Sequence, residues 1–141
     1  MAQQSTKVFL DTSFFVSFID RVDLNHNRTV ATFNNLGSGN FRLYTSSVTV
    51  LNVFNRLEKE LGSVIAHDFL QAILESDIQI IYPEQTDIIA SFRFIKSSTQ
   101  RKASLSEILN IHLMERNGIA QVLTYDLWHN LKNTSVSPFL S

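Results

Sequence analysis

Between Lys7 and Thr124 the chain alternates short strand-like runs with longer helix-like segments, and that alternation restricts the fold more than any single residue does. The strand-like runs, most of them rich in β-branched or aromatic residues, are Lys7–Leu10, Phe41–Thr45, Ile78–Tyr82 and Ala120–Thr124. A weaker fifth candidate, Ser135–Leu140, contains Pro138, which cannot donate to a ladder and therefore suits an edge strand. Helical patterns fill the intervals. Thr12–Ile19 follows the first strand directly, and His26–Leu36 is expected to end at the Gly37–Gly39 loop. Val48–Leu61 repeats apolar residues at Val50, Val53, Phe54, Leu57 and Leu61 and is closed by Gly62. Ser63–Glu75 comes next, then Glu84–Phe94 after Pro83, then Ser104–Asn117 stopped by Gly118. Repeated strand–helix units with right-handed crossovers place helices on both faces of a mostly parallel sheet. The expectation is a three-layer α/β/α sandwich.

In such sheets, sites form at the carboxyl ends of the strands, near a switch in strand order. Asp11 follows the first strand. Ser46 and Ser47 follow the second, with Asn52 in the second turn of the next helix. Tyr82-Pro83 follows the third strand, and Tyr125 and Asp126 follow the fourth. Glu107 lies in the first turn of the helix that precedes the fourth strand. These acids converge only if strands one and four are neighbours, as in a 3-2-1-4 order.

Each residue also has a plainer explanation. Asp11 can cap the following helix. Ser104-Leu-Ser-Glu107 fits a capping box, in which the glutamate reaches back to the cap's backbone amide. Asp126 can start a short helix over 127–132, and Asn52 can belong to a polar stripe with Asn55 and Lys59. The three acids at matching strand ends are nevertheless a distinctive set. If they meet, their mutual repulsion forces protonation unless a cation intervenes. Carboxylate oxygens without His or Cys suit Mg2+ or Mn2+. Such an ion polarises phosphate and activates water for attack on a phosphodiester.

Composition narrows the alternatives. The 141 residues fit one domain, 1–141, and 44% apolar residues with eleven Phe suffice for one core. The net charge of −1 gives no global basic field, so contact with nucleic acid must come from a local patch. The absence of cysteine excludes disulfides and thiolate metal sites. No leader-like or membrane-length apolar run is visible, so a cytoplasmic protein without a membrane partner is expected. The four His, at 26, 67, 112 and 129, show no metal-ligand spacing.

Four stretches together resemble the PIN domain family, with the size and layout of the VapC-type toxin ribonucleases. VFLDTSFF matches the family's opening strand and Asp-Thr-Ser. LYTSSVTVLNVF matches the strand and helix that usually carry a glutamate. KASLSEILNIHLMERNG matches the helix that usually carries an aspartate, and VLTYDLW the late strand ending in Thr-x-Asp. The resemblance spans about Lys7 to Leu140 and implies a PIN-like sandwich with a four- to five-stranded sheet in the order 3-2-1-4-5. It implies a metal-dependent endoribonuclease, with Asp11, Glu107 and Asp126 as catalytic metal ligands and Asn52 in the fourth position. It further implies that Thr12, Ser13 and Thr124 help to position the site. Thr12 and Ser13 can instead simply satisfy backbone donors at the helix start.

Two departures weaken the match. Glu107 stands for an aspartate, one methylene longer, and Asn52 stands for a glutamate, one charge short. Glu58 and Glu60 lie about 9–12 Å further along the helix axis and do not substitute. The resemblance also implies an RNA substrate, a small antitoxin that inserts a segment near the site, and a homodimer. The local patch for RNA is Arg93 to Lys102, RFIKSSTQRK, with Arg101 and Lys102 foremost, then Arg93 and Lys96; Arg42 and Arg56 are weaker candidates, and an ordinary solvated loop is the plain alternative. A second reading, favoured by Asn52 and Glu107, is a PIN-like module that binds RNA or protein without cutting. Receiver, haloacid-dehalogenase-like and dinucleotide folds fit worse. They want, respectively, an acid after the third strand, a second aspartate at position 13, and a Gly-rich first turn.

Overall fold

The computed structural model of the protein describes residues 6–97, 104–126 and 137–138. Its elements are β1 (Lys7–Leu10), α1 (Thr12–Ile19), α2 (His26–Ser38), β2 (Arg42–Ser46), α3 (Ser47–Leu61), α4 (Ser63–Glu75), β3 (Gln79–Ile81), α5 (Gln85–Ser97), α6 (Leu105–Arg116), β4 (Gln121–Leu123) and β5 (Ser137–Pro138). The strand order is β3-β2-β1-β4-β5, and every pairing is parallel. This is the expected 3-2-1-4-5 sheet, with Pro138 in the edge strand. The sequence candidates Arg101, Lys102 and His129 and the helix over 127–132 lie outside the described residues.

Alternation along β1 divides the core in two. Val8 and Leu10 join Phe14, Phe15, Val16, Val50, Val53, Leu57, Phe69 and Ile73 on the side of α1 to α4. Phe9 faces the opposite way and packs with Tyr44, Ile108, Ile111, Met114, Ile119 and Val122 beside α6. Each fully buried Phe, Leu or Val contributes about 1.5–3 kcal/mol. The sheet is therefore held from both faces, as the three-layer expectation requires.

Most boundaries fall within a residue or two of the sequence reading, and two differ for clear reasons. The second helix does not stop at Gly37. It continues to Ser38 and ends at Gly39, whose N–H bonds the Asn35 and Leu36 carbonyls. Glycine inside a helix costs only about 1 kcal/mol relative to Ala, so Gly37 is tolerated. At Gly39 a Cβ would lie 2.8 Å from the Phe41 ring, which would have to shift to admit it. The fifth helix begins at Gln85 and runs on to Ser97, past Phe94, because Ile95 as well as Phe94 packs against the second core cluster.

An ionic clamp fixes α5 against α6. Arg116 donates to both Asp87 carboxylate oxygens, at 3.0 and 2.8 Å, and to the Tyr82 carbonyl at 3.1 Å. Burial pushes the Asp87 carboxyl up, but the Arg116 guanidinium and the Glu84 N–H outweigh it and hold the group below its ordinary value.

Candidate active site

The pairing of β1 with β4 sets Leu10 opposite Leu123, so the residues that follow, Asp11 and Thr124, leave the sheet side by side. The Asp11 N–H still bonds the Leu123 carbonyl at 3.1 Å. Asp11 occupies the cap position of α1, but its side chain makes no capping bond. Its carboxylate instead accepts a hydrogen bond from the Thr124 hydroxyl at 2.7 Å, and it is only 3% exposed. The plain capping explanation for Asp11 therefore fails, because tertiary pairing with β4 claims the carboxylate.

Around this pair the hydroxyls form an ordered set. Thr124 Oγ1 accepts the Asp126 N–H at 3.0 Å, and Ser13 Oγ accepts the Tyr125 N–H at 2.8 Å. Ser13 and Thr124 lie 3.2 Å apart. Thr124 spends its proton on Asp11, so Ser13 is the donor to Thr124. Ser13 thus satisfies a backbone donor, but of the β4 exit rather than of its own helix. Thr12 acts through its backbone N–H, which favours the ionised Asp11 carboxyl.

The charges reinforce one another. Burial pushes the Asp11 carboxyl up to about 7; Thr124 and the Thr12 N–H pull it down, and the neighbouring Asp126 carboxylate pushes it up again. Burial also raises Glu107, followed by the charge of Asp126. Asp126 is thus within electrostatic reach of both other acids. Ser104 does cap α6. Ser104 Oγ accepts the Glu107 N–H at 3.1 Å, and the Ser104 hydroxyl and N–H pull the Glu107 carboxyl down against the burial. Among the described residues, no three His, Asp or Glu side chains stand close enough together to form a ready metal cage.

The other sequence candidates fall into place unevenly. Asn52 is half-buried on α3, and no hydrogen bond joins it to the three acids. Arg93 and Lys96 are exposed near the end of α5. Arg42 starts β2, so it lies at the end of the sheet opposite the acids, and Arg56 pairs with Glu60 on α3. His112 packs edge-on against Phe94, as a core residue would.

One buried amide escaped the sequence reading. Asn110 accepts a hydrogen bond from the Ser46 hydroxyl and donates to Thr49 Oγ1 at 3.0 Å, while Ser46 caps α3. It joins the two helical layers at the carboxyl edge of the sheet, one turn after Glu107. Its only trace in sequence is an amide inside the apolar run ILNIHLM.

Most apolar residues of α1 and α3 prove to be core, including Phe14, Phe15, Val16, Val50, Val53 and Leu57. Phe18 is exposed and, with Phe14, Phe33, Ile65, Phe69 and Ile73, lines an apolar cleft of about 340 Å3 between α1, α2 and α4.

The PIN domain family model matches residues 8–129. The chain belongs to the PIN domain family. No curated protein matches it by sequence. Among solved PIN-like structures, VapC20 of Mycobacterium tuberculosis, a Sarcin-Ricin loop cleaving toxin, superposes with a TM-score of 0.76 at 16% identity, covering 84% of this chain and 89% of that one. VapBC2 of Rickettsia felis, bound to a DNA fragment from its promoter, gives 0.70 at 12% identity, with 94% and 98% covered. FitAcB of Neisseria gonorrhoeae gives 0.64 at 16% identity, with 94% and 96% covered. The fold is thus the VapC-like PIN fold. Among the described residues, no helix is long and apolar enough to cross a membrane.

Proposed function

We propose that this PIN domain, a single domain over residues 1–141, is a metal-dependent endoribonuclease and the toxin of a toxin–antitoxin pair. The observation that carries the reading is the Asp11 carboxylate, buried at the carboxyl edge of the sheet and flanked by Asp126. A buried acid with an acidic neighbour is costly unless a cation joins it. The donor chemistry fits Mg2+ or Mn2+, because Asp11, Asp126 and Glu107 offer hard carboxylate oxygens and Asn52 an amide oxygen. When bound, the ion supplies Lewis acidity toward a phosphodiester and the attacking water. Thr124 and the Thr12 N–H orient Asp11, and Ser13 orients Thr124 in turn. Arg93 and Lys96, with Arg101 and Lys102 of the segment before α6, contact the RNA backbone. The solved VapC and VapBC relatives support both the toxin assignment and an antitoxin partner, which inserts a segment near the acids. A homodimer accompanies that assignment.

The deciding experiment is RNA cleavage in Mg2+ or Mn2+ by the wild type and by Asp11→Ala. Cleavage by the wild type alone is expected, and equal cleavage by both would sink the assignment. A second reading, a PIN module that binds without cutting, is favoured by the amide at Asn52 and by the contact of Glu107 with the Ser104 cap. Calorimetry separates the two: Mg2+ or Mn2+ binding in the millimolar range or tighter supports the nuclease, and its absence supports the binding module.

A further inference from the structure

We propose that Tyr125 is a positioning residue for the acidic site, holding Asp126 in place through a hydroxyl bridge to Thr29 of α2. The inference rests on the metal-dependent reading for its catalytic consequence, but not for its geometry. Tyr125 lies between Thr124 and Asp126, just beyond the last rung of β4, where the sheet no longer orders the backbone. Two anchors replace it. The Tyr125 N–H bonds Ser13 Oγ at 2.8 Å, and the Tyr125 hydroxyl lies 2.6 Å from Thr29 Oγ1.

Proton accounting makes the second anchor directional. Thr29 is fully buried and gives its only hydroxyl proton to the Asn25 carbonyl at 2.8 Å. It is then an acceptor toward Tyr125, while Ser17 Oγ, which itself donates to the Phe14 carbonyl at 3.1 Å, lies 2.6 Å away. Ser17 and Thr29 are both buried, and the half-buried Tyr125 covers them on this side. The Arg28 guanidinium stacks on the Tyr125 ring, 5.6 Å from its centroid, and holds the ring from α2 as well. The Asp126 N–H itself has a single anchor, Thr124 Oγ1. Freeing Tyr125 on one side lets the Tyr125–Asp126 peptide swing, and the Asp126 carboxylate moves away from Asp11.

The test uses Tyr125→Phe, which keeps the ring and its stacking, together with Thr29→Val and Thr29→Ser. In metal-free protein, hydrogen exchange of the Asp126 amide should speed up about ten-fold in Tyr125→Phe and Thr29→Val while β1 amides stay protected. Mn2+ affinity measured by calorimetry should weaken about ten-fold, as on loss of a group that orients a metal ligand. RNA cleavage should lose kcat with KM unchanged, and Thr29→Ser should restore all three. Wild-type exchange at Asp126 in a folded Tyr125→Phe overturns the proposal. A wild type that neither binds Mn2+ nor cleaves RNA overturns the nuclease reading instead, and the exchange data still judge the bridge.

Discussion

Asp11 keeps a carboxylate at 3% exposure beside a second acid, and its ordinary hydrogen bonds to Thr124 and Thr12 do not offset the desolvation. The direction of its pKa shift has a consequence for stability. The unfolded carboxyl ionises near pH 4 and the folded one near pH 7, so at pH 8 ionisation favours the unfolded chain. Asp11→Asn, which keeps an oxygen to accept from Thr124, should therefore raise the thermal midpoint of the metal-free protein at pH 8 while abolishing RNA cleavage. The size is on the order of a few kcal/mol at most, and equal midpoints at pH 8 would deny that the carboxylate is strained. Asn52 poses the complementary question. Asn52→Glu should tighten Mn2+ binding several-fold, because affinity follows the ligand charge count. Unchanged calorimetric affinity would place residue 52 outside the site.

At the scale of elements, polar groups decide how the layers meet. Arg116 joins the end of α6 to the start of α5 and the exit of β3. Arg116→Ala leaves Asp87 buried without its cation and should cost about 1–3 kcal/mol, read as a lower urea midpoint. Asp87 is held below its ordinary value, so its contribution is present above about pH 4 and is lost as pH falls further. The variant should therefore lose the acid-induced part of the wild-type transition. The helices were legible in sequence because their apolar spacing and their stops, Gly62 and Gly118, act locally. Asn110 was not, because its partners Ser46 and Thr49 lie more than sixty residues away and nothing near it in sequence announces them.

For the molecule as a whole, the proposed metal-dependent reading makes protons and metal compete for the same carboxylates. The stability associated with Asp11 is fully present below about pH 4 and is lost as pH rises through about 7. Added Mn2+ should therefore raise the thermal midpoint more at pH 8 than at pH 5.5, by mass action on the folded state. A pH-independent shift would exclude Asp11 from the binding site.

The sequence by itself determined the alternation of strands and helices, and with it the sheet. Parallel pairing follows from the helical crossovers between successive strands, which are local features, whereas the strand order came only from the family resemblance. The sequence also identified Asp11, Glu107 and Asp126 as acids at strand and helix ends. Only the tertiary structure decided what each acid touches. β1–β4 pairing turned Asp11 from a helix cap into the partner of Thr124, while Glu107 stays in the first turn of α6 with its N–H on the Ser104 cap. A hydrogen bond goes to whichever donor the fold brings within 3 Å, and for Asp11 that donor lies 113 residues along the chain.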